Sequence, residues 1–296
     1  MLSILIPTFN YDTFPLVENL WNKIIVEKIP FEILVLDDGS TSFLIENEQI
    51  NSLENCNFIK NSNNLGRTQT RNLLAKSAKY DWLLFLDSDV IPVNLNFISE
   101  YIHYLKKEYD VILGGIKYEK NHQDNSKILR YKYGKSREEI AAKIRNKNPY
   151  SAILSGNILI KKNIFLLCNF TNHENLYGMD NYFAYQLFLH KFSVYHIENT
   201  VYHIGLEDNE IFLEKSLLSV YNRKQLFEKI EGFETLNPIL KKYKIINYWH
   251  LNILVSYIFK KSKRFLKKNI LGNNPNLLIF DLYRLGYLCS LKKKTS

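Results

Sequence analysis

Short apolar runs alternate with longer amphipathic stretches through the first two hundred residues of the chain. LSILIPTF (2–9), FEILVLDD (31–38), NFIK (57–60) and DWLLFLDSD (81–89) are apolar runs of strand length. Between them, 13–28 and 66–79 have helix length, and in the second Leu73, Leu74 and Ala78 recur at helical spacing. Residues 95–108 predict a further helix and 110–118 a strand. Near-continuous apolar strands separated by helices predict an α/β fold, with a mostly parallel central sheet flanked by helices. Residues 119–150 are polar and charged, and predict a loop followed by a helix over 136–147. Beyond them, 152–162 returns to strand character, 177–191 predicts a helix with Asp180 in its first turn, and 192–205 is extended. From 206 onward the patterns are helical, over 206–232, 238–268 and 276–294. The expected organisation is one α/β domain over 1–205 and a helical extension over 206–296.

In such sheets ligands bind in the crevice beyond the carboxyl ends of the strands. The first strand delivers Pro7, Thr8 and Asn10 there. The second delivers Asp37, Asp38, Gly39 and Ser40, and the third leads into NSNNLGR (61–67). The fourth, WLLFLDSDVIP (82–92), ends in Asp87, Ser88 and Asp89. Two carboxylates one residue apart at the end of a buried strand repel each other unless a cation lies beside them. Oxygen ligands favour Mg²⁺ or Mn²⁺, and Mg²⁺ is commonly held by one or two carboxylates together with substrate phosphates. The economical reading is a nucleoside diphosphate whose phosphates share a metal with Asp89, with Asp87 on the ribose or the metal. Each piece alone has a plainer meaning. Asp37 and Asp38 in DDGST read as turn and cap chemistry, and Arg67 and Arg71, one helical turn apart, as a solvated face.

Taken in order, these motifs resemble the inverting glycosyltransferases of family 2, which have the GT-A fold. The carrying residues are SILIPTFN at the start, EILVLDDGST (32–41), NNLGRTQTRN (63–72), LLFLDSD (83–89), LSGNILIKK (154–162), YGMD (177–180) and VYHIG (201–205). The resemblance spans roughly 1–205 and implies roles. Pro7, Thr8, Asn10, Asp37 and Asp38 would hold the nucleobase side of a nucleotide-sugar, commonly a UDP-sugar. Arg71 and the Asp87–Ser88 strand end would lie along the nucleotide. Asp89, with Asp87 and His203, would hold Mn²⁺ or Mg²⁺. Asp180 would be the catalytic base toward a saccharide or lipid-linked glycan acceptor. One departure stands out, because Met179 occupies the place of the family's usual Glu before that Asp. A narrower likeness, through GGIKYEK, LRYKYGKSREEIAAKIRNKNPY and LSGNILIKK, is to bacterial family 2 enzymes of polysaccharide assembly. It would place Arg130, Tyr133, Arg137 and Arg145, and on the acceptor side Asn157, around an acceptor or diphosphate pocket. His190 and His196 read as structural.

Charge and cysteine usage refine the picture. The formal net charge is +9, and runs such as KKYK (241–244), KKSKRFLKK (260–268) and KKK (292–294) place much of the excess near the C-terminus. LNILVSYIFKKSKRFLKK has an apolar side and a basic side, the pattern of a helix lying on a membrane surface. No nucleic-acid motif accompanies the charge, so a nucleic-acid partner is not expected. The apolar stretch at 248–259 is short of the roughly 20 residues a bilayer demands. MLSILIPTFN lacks the basic leader of a signal peptide. The three cysteines show no metal or disulfide spacing. A cytoplasmic protein, peripheral on the inner face of the plasma membrane, is the expectation. Two alternatives stay open: an inactive nucleotide-binding scaffold, prompted by Met179, and a sugar-phosphate nucleotidyltransferase. The latter usually carries a Gly-rich basic loop after its first strand, which IPTFNYDTF lacks.

Overall fold

The apolar runs become strands β1 (Leu2–Thr8), β2 (Phe31–Asp37), β3 (Cys56–Lys60) and β4 (Trp82–Leu86) in a computed structural model that describes residues 1–170 and 176–292. The end of the basic run at 292–294, and of the helix expected over 276–294, lies outside the described residues. β1 pairs in parallel with β2 on one side and β4 on the other, and β2 with β3. Helices α1 (Phe14–Ile24), α2 (Leu44–Glu48) and α3 (Arg67–Ser77) provide the crossovers. Chain direction and strand order therefore diverge at β1, which makes its carboxyl end a switch point of the sheet.

The remaining strands are shorter than the sequence pattern implies. After β5 (Val90–Pro92) and α4 (Phe97–Tyr104), the run expected as one strand over 110–118 divides into β6 (Val111–Leu113) and β7 (Ile116–Lys117). After α5 (Ile128–Arg137) and α6 (Ala142–Arg145) come β8 (Asn157–Lys161), α7 (Lys162–Cys168) and α8 (Asp180–Leu189). The extended run 192–205 divides into β9 (Val194–His196) and β10 (Val201–His203). The large sheet has seven strands in the order β3-β2-β1-β4-β8-β6-β9, with only β8 antiparallel to its neighbours. A second sheet has the order β5-β10-β7.

The division of those runs has a local cause. Gly115 has φ 86°, and a Cβ on Gly114 would sit 2.1 Å from the Asn199 carbonyl, so this glycine pair lets the backbone swerve from one sheet to the other. Asn157 locks the crossing. It is fully buried, its Nδ2 donates to the carbonyls of Gly115 (2.9 Å) and Asn199 (2.8 Å), and its Oδ1 accepts from the Tyr101 hydroxyl. The acceptor-side role expected of Asn157 gives way to this one, because its hydrogen-bonding groups are turned to the fold. Arg145 is likewise buried. It donates to the carbonyls of Ile140 and Ile197, each at 2.9 Å, and contacts His196 Nδ1 at 2.8 Å. Its donors are thus engaged by the fold. The helix expected over 136–147 is in fact α5, which ends at Arg137, and the four-residue α6.

The chain divides into two compact units. The first comprises Met1–Tyr118, Glu138–Asn175 and Gln186–Gly205, and the second Glu119–Arg137, Leu176–Tyr185 and Leu206–Ser296. The sequence reading drew one break after 205, whereas segments 119–137 and 176–185 also belong to the second unit. Their packing explains why. Leu129 joins Phe212, Leu213, Phe259, Ile270, Phe280 and Tyr283 in that unit's core, and Tyr133 packs against it. The unit's helices are α9 (Asn209–Phe227), α10 (Pro238–Tyr248), α11 (Asn252–Ile270) and α12 (Leu277–Ser290). The single helix expected over 238–268 breaks between α10 and α11, where His250 takes a left-handed conformation (φ 55°). No helix among the described residues is long and apolar enough to cross a membrane.

His196 is a useful reporter of the first unit's integrity. Burial, and secondarily the Arg145 cation, hold its imidazole down at about 4. In the unfolded chain it protonates near about 6.5. The folded state therefore binds fewer protons between those values. The stability this group contributes is complete above about pH 6.5 and falls away as pH drops toward 4. Urea unfolding across that window is expected to lose about 3 kcal/mol from this one site, and His196→Gln is expected to flatten the dependence.

Candidate active site

The loops after β1, β2 and β4 meet at the switch point, and each is held by a specific contact. Thr8 is buried and its Oγ1 accepts from Thr13 Oγ1 at 2.8 Å, tying the strand end to the start of α1. Asn10 has φ 50°. Its amide donates to Ser40 Oγ (2.7 Å) and its side-chain carbonyl accepts from the Thr41 amide (2.9 Å), joining the first two loops. Asp37 accepts from the Ser40 amide at 2.9 Å. Asp38 accepts from the amides of Leu65 and Gly66, each at 2.8 Å, and so fixes the start of α3. Pro7, Thr8, Asn10, Asp37 and Asp38 are thus brought together. The carboxylates of the last two are engaged with backbone amides, which is the turn and cap chemistry DDGST allows.

Asp87 and Asp89, though separated in sequence by Ser88 alone, have different surroundings. Asp87 accepts from Arg67 NH2 at 2.8 and 2.6 Å and from Arg71 NH2 at 2.6 Å. Arg71 is buried and is held in turn by the Ser155 carbonyl at 2.9 Å and the Ser155 hydroxyl. Burial opposes ionisation of Asp87, but the cations of Arg67 and Arg71 outweigh it and hold the carboxyl below the usual carboxylate range. Gly156 permits the approach of β8, since a Cβ there would lie 2.5 Å from Asp87 Oδ2. Arg67 is half exposed and is as close to Asp87 as Arg71 is. Sequence reasoning weighted Arg71 above Arg67, although an i, i+4 pair shares one helix face and either can meet a carboxylate.

Asp89 faces His203. Its Oδ2 lies 3.3 Å from His203 Nε2, brought there by the antiparallel pairing of Val90 with His203 between β5 and β10. The Ile204 amide donates to the Asp89 carbonyl at 3.0 Å, and a Cβ on Gly205 would lie 2.1 Å from Asp89 Oδ2. The glycine of VYHIG is therefore a requirement of this close approach. His203 Nδ1 is buried without a hydrogen-bond partner among the described residues. An imidazole and a carboxylate at this distance form a donor pair a divalent cation fits, although no group of three or more His, Cys, Asp or Glu gathers among the described residues. Asp87, occupied by two arginines, is the weaker member of the metal set expected from sequence. Tyr11, which sequence reasoning passed over, also lies by this pair. Burial first, then the charges of Asp89 and Asp12, push its phenol up. Ser88 occupies the turn between the aspartates.

Asp180 belongs to the second unit and opens α8. Gly178, φ 85°, brings the turn before it against α9, where a Cβ would lie 2.2 Å from Ser219 Oγ. Met179 is buried. The acidic residue usual in its place would carry a charge into that packing, so the departure has a steric and electrostatic reason. In the same unit, Arg137 pairs with Asp281 (3.0 Å), and Arg130 lies over the Phe212 ring at 5.2 Å. His190 is exposed beside Phe192.

A model of the family described as glycosyl transferase family 2 matches residues 3–165. The chain belongs to that family. An uncharacterized glycosyltransferase of Mycoplasma genitalium is 35% identical over 38% of this chain and 40% of its own length. A chondroitin synthase of Pasteurella multocida is 30% identical over 62% of this chain and 19% of its own length. The chain thus aligns with less than half the length of either relative. Among solved structures, S. aureus TarS 1-349 in complex with UDP superposes with a TM-score of 0.51 at 18% identity, covering 96% of this chain and 89% of that one. A mannosyltransferase of Pyrobaculum calidifontis in complex with GDP-Man and Mn²⁺ gives a TM-score of 0.53 at 12% identity, covering 77% and 64%. The fold is the GT-A fold of these glycosyltransferases.

The two arginines on Asp87 are expected to differ in weight. Arg71 side-chain exposure is 6% and that of Arg67 is 48%. Arg71→Met leaves a largely buried carboxylate short of its inner partner and is expected to cost about 3 kcal/mol in urea unfolding at pH 7, and Arg67→Met about 1 kcal/mol or less. Because the folded Asp87 carboxyl is held low, its contribution is present above about pH 3.9 and is lost as pH falls through the folded value. The gap between variant and parent is therefore expected to close in acid.

Proposed function

We propose that the protein transfers a glycosyl group, with inversion, from a nucleotide-sugar to a saccharide acceptor in the assembly of a bacterial surface glycan. The observation that carries the reading is the unequal treatment of the two aspartates. Asp87 is neutralised by Arg67 and Arg71, while Asp89 is left facing His203 at the switch point of the sheet. A site that merely ended a strand has no use for that arrangement. A diphosphate beside a divalent cation does. The support from relatives is of the same kind, since one neighbour is described with UDP, another with GDP-Man and Mn²⁺, and a relative is a chondroitin synthase.

In this reading the loops after β1 and β2 hold the nucleoside, and Asp89 with His203 holds the metal. The nitrogen ligand favours Mn²⁺ over Mg²⁺. When bound, the cation stabilises the charge that gathers on the departing nucleoside diphosphate. Arg67 and Arg71 keep Asp87 ionised and fixed at the diphosphate's edge. The acceptor hydroxyl attacks the anomeric carbon opposite the leaving oxygen. The carbon–oxygen bond to the diphosphate breaks with its electron pair on the phosphate side, and Asp180 takes the hydroxyl proton. UDP is the expected donor nucleotide.

The second unit adds a location for this chemistry. No acidic residue occurs from 235 to 280, while lysines and Arg264 recur along α10 and α11. On these helices and in the break between them, Trp249 is 66% and Ile253 79% exposed, with Tyr248, Tyr257 and Phe265 exposed as well. Aromatic and aliphatic side chains beside lysines fit the interface of an anionic membrane. This supports a cytoplasmic enzyme working at the inner membrane face on a lipid-linked glycan.

Calorimetric titration with UDP, GDP and CDP, with and without Mn²⁺, tests the donor site. Metal-dependent binding of UDP, abolished by Asp89→Ala, is expected. Failure of every nucleotide to bind the folded protein would sink the proposal and favour a scaffold role. Asp180→Asn is expected to retain UDP binding and lose about a thousandfold in transfer rate. Sedimentation with vesicles tests the membrane face. Binding to anionic but not neutral vesicles, weakened by salt and by the pair Trp249→Ser and Ile253→Ser, is expected. Equal binding by parent and variant would refute it.

A further inference from the structure

The second unit holds a cavity of about 520 Å³ that none of the donor-site residues line. Arg137, Arg223, Lys242 and Arg284 all face it, against a single carboxylate in its walls, Asp281. Asp281 is already divided between two of them, with Oδ2 3.0 Å from Arg137 and Oδ1 2.7 Å from Arg284. Arg223 hydrogen-bonds to a neutral partner outside the cavity's lining, its Nε and NH2 donating to Ser219 Oγ at 3.2 and 2.9 Å. Arg284 is largely buried, and its Nε has no hydrogen-bond partner among the described residues. Two guanidiniums are thus held near each other with their compensation incomplete. Burial, and next the charge of Arg284, hold Arg223 down at about 10. The opposing influence of Asp180 is smaller.

A cluster of this kind is costly to fold unless an anion joins it. Planar guanidinium forks match phosphoryl oxygens, which accept two parallel hydrogen bonds each. The remaining wall includes three leucines of α12, so a ligand with an apolar body next to its charge is accommodated. We propose that the cavity binds a phosphoryl or diphosphoryl group carried by the glycosyl acceptor. The inference rests on the glycosyl-transfer reading for the word acceptor, and on the cavity alone for the phosphoryl site. An anchored phosphoryl group would fix the acceptor's charged end in the unit that takes its proton.

The test uses the full chain and inorganic pyrophosphate, titrated by calorimetry in the presence of a chelator to silence metal-dependent binding at the donor site. Binding is expected, is expected to survive Asp89→Ala, and is expected to weaken about tenfold or more in Arg223→Gln combined with Lys242→Gln. Lys242→Glu is exposed, so it reports on the same site without threatening the fold, and should weaken binding too. UDP binding with Mn²⁺ is expected to be unchanged in these variants, which separates failure of this site from failure of the donor reading. Absence of pyrophosphate binding, or binding indifferent to the substitutions, overturns the proposal. The source of the phosphoryl group is read in two arms. Retention on neutral vesicles carrying a prenyl diphosphate, lost in the double variant, upholds the site and makes the acceptor lipid-borne. Displacement of pyrophosphate by a soluble sugar phosphate, without vesicle retention, upholds it and makes the acceptor soluble.

Discussion

Burying the Asp87 carboxylate at the end of an apolar strand requires the two guanidiniums that meet it, and much of the first unit is arranged to bring them there. Arg67 and Arg71 reach Asp87 from one helix face, one turn apart. That helix starts where it does because Asp38 takes the amides of Leu65 and Gly66. Asp38 is itself placed by β2, whose pairing sets Thr8 opposite Asp37. On the far side, Ser155 holds Arg71 and Gly156 leaves room for the carboxylate. The strand, the helix start, the acidic turn and the glycine after Ser155 are therefore one device. Removing a single cation exposes the desolvation cost that the others were offsetting.

This device was only partly legible in the sequence. The parallel sheet was, because strands buried on both faces leave near-continuous apolar runs such as ILIP and LLFL. The convergence of Thr8, Asp37, Asp38 and Asp87 on one edge followed from the same topology. What could not be read was the partner of each charge. Whether Asp38 caps a helix or meets a ligand depends on a loop 27 residues away in sequence. That Arg67 and Arg71 both turn to Asp87 depends on how α3 docks on the sheet, which their spacing alone does not state. Asn157 looked like strand-start chemistry open to an acceptor, and is instead the clasp between two sheets.

The shorter elements misled for a related reason. Apolar pattern measures burial, and burial continues through Gly114 and Gly115 although the backbone changes sheet there. In the polar segment 119–150 the pattern is weak. The helix over Ile128–Arg137 is decided by Leu129 and Tyr133 meeting α9 and α12, about eighty residues and more downstream in the chain. Tertiary packing settled what local propensity left undetermined.

Charge follows different rules in the two units, and the difference separates structure from binding. In the first, Asp87 has Arg67 and Arg71, Asp110 has Lys161, and Arg145 spends its donors on backbone carbonyls. These cations are matched by acceptors of the fold. In the second, residues 235–280, which include α10 and α11, hold no acidic residue, and among the described residues the cavity beside α12 sets four cations against one carboxylate. Such a surplus opposes folding through self-repulsion. A chain keeps it where an anion from outside completes the balance. The net charge of +9 is thus better described as a surplus carried by the second unit than as a property of the chain as a whole.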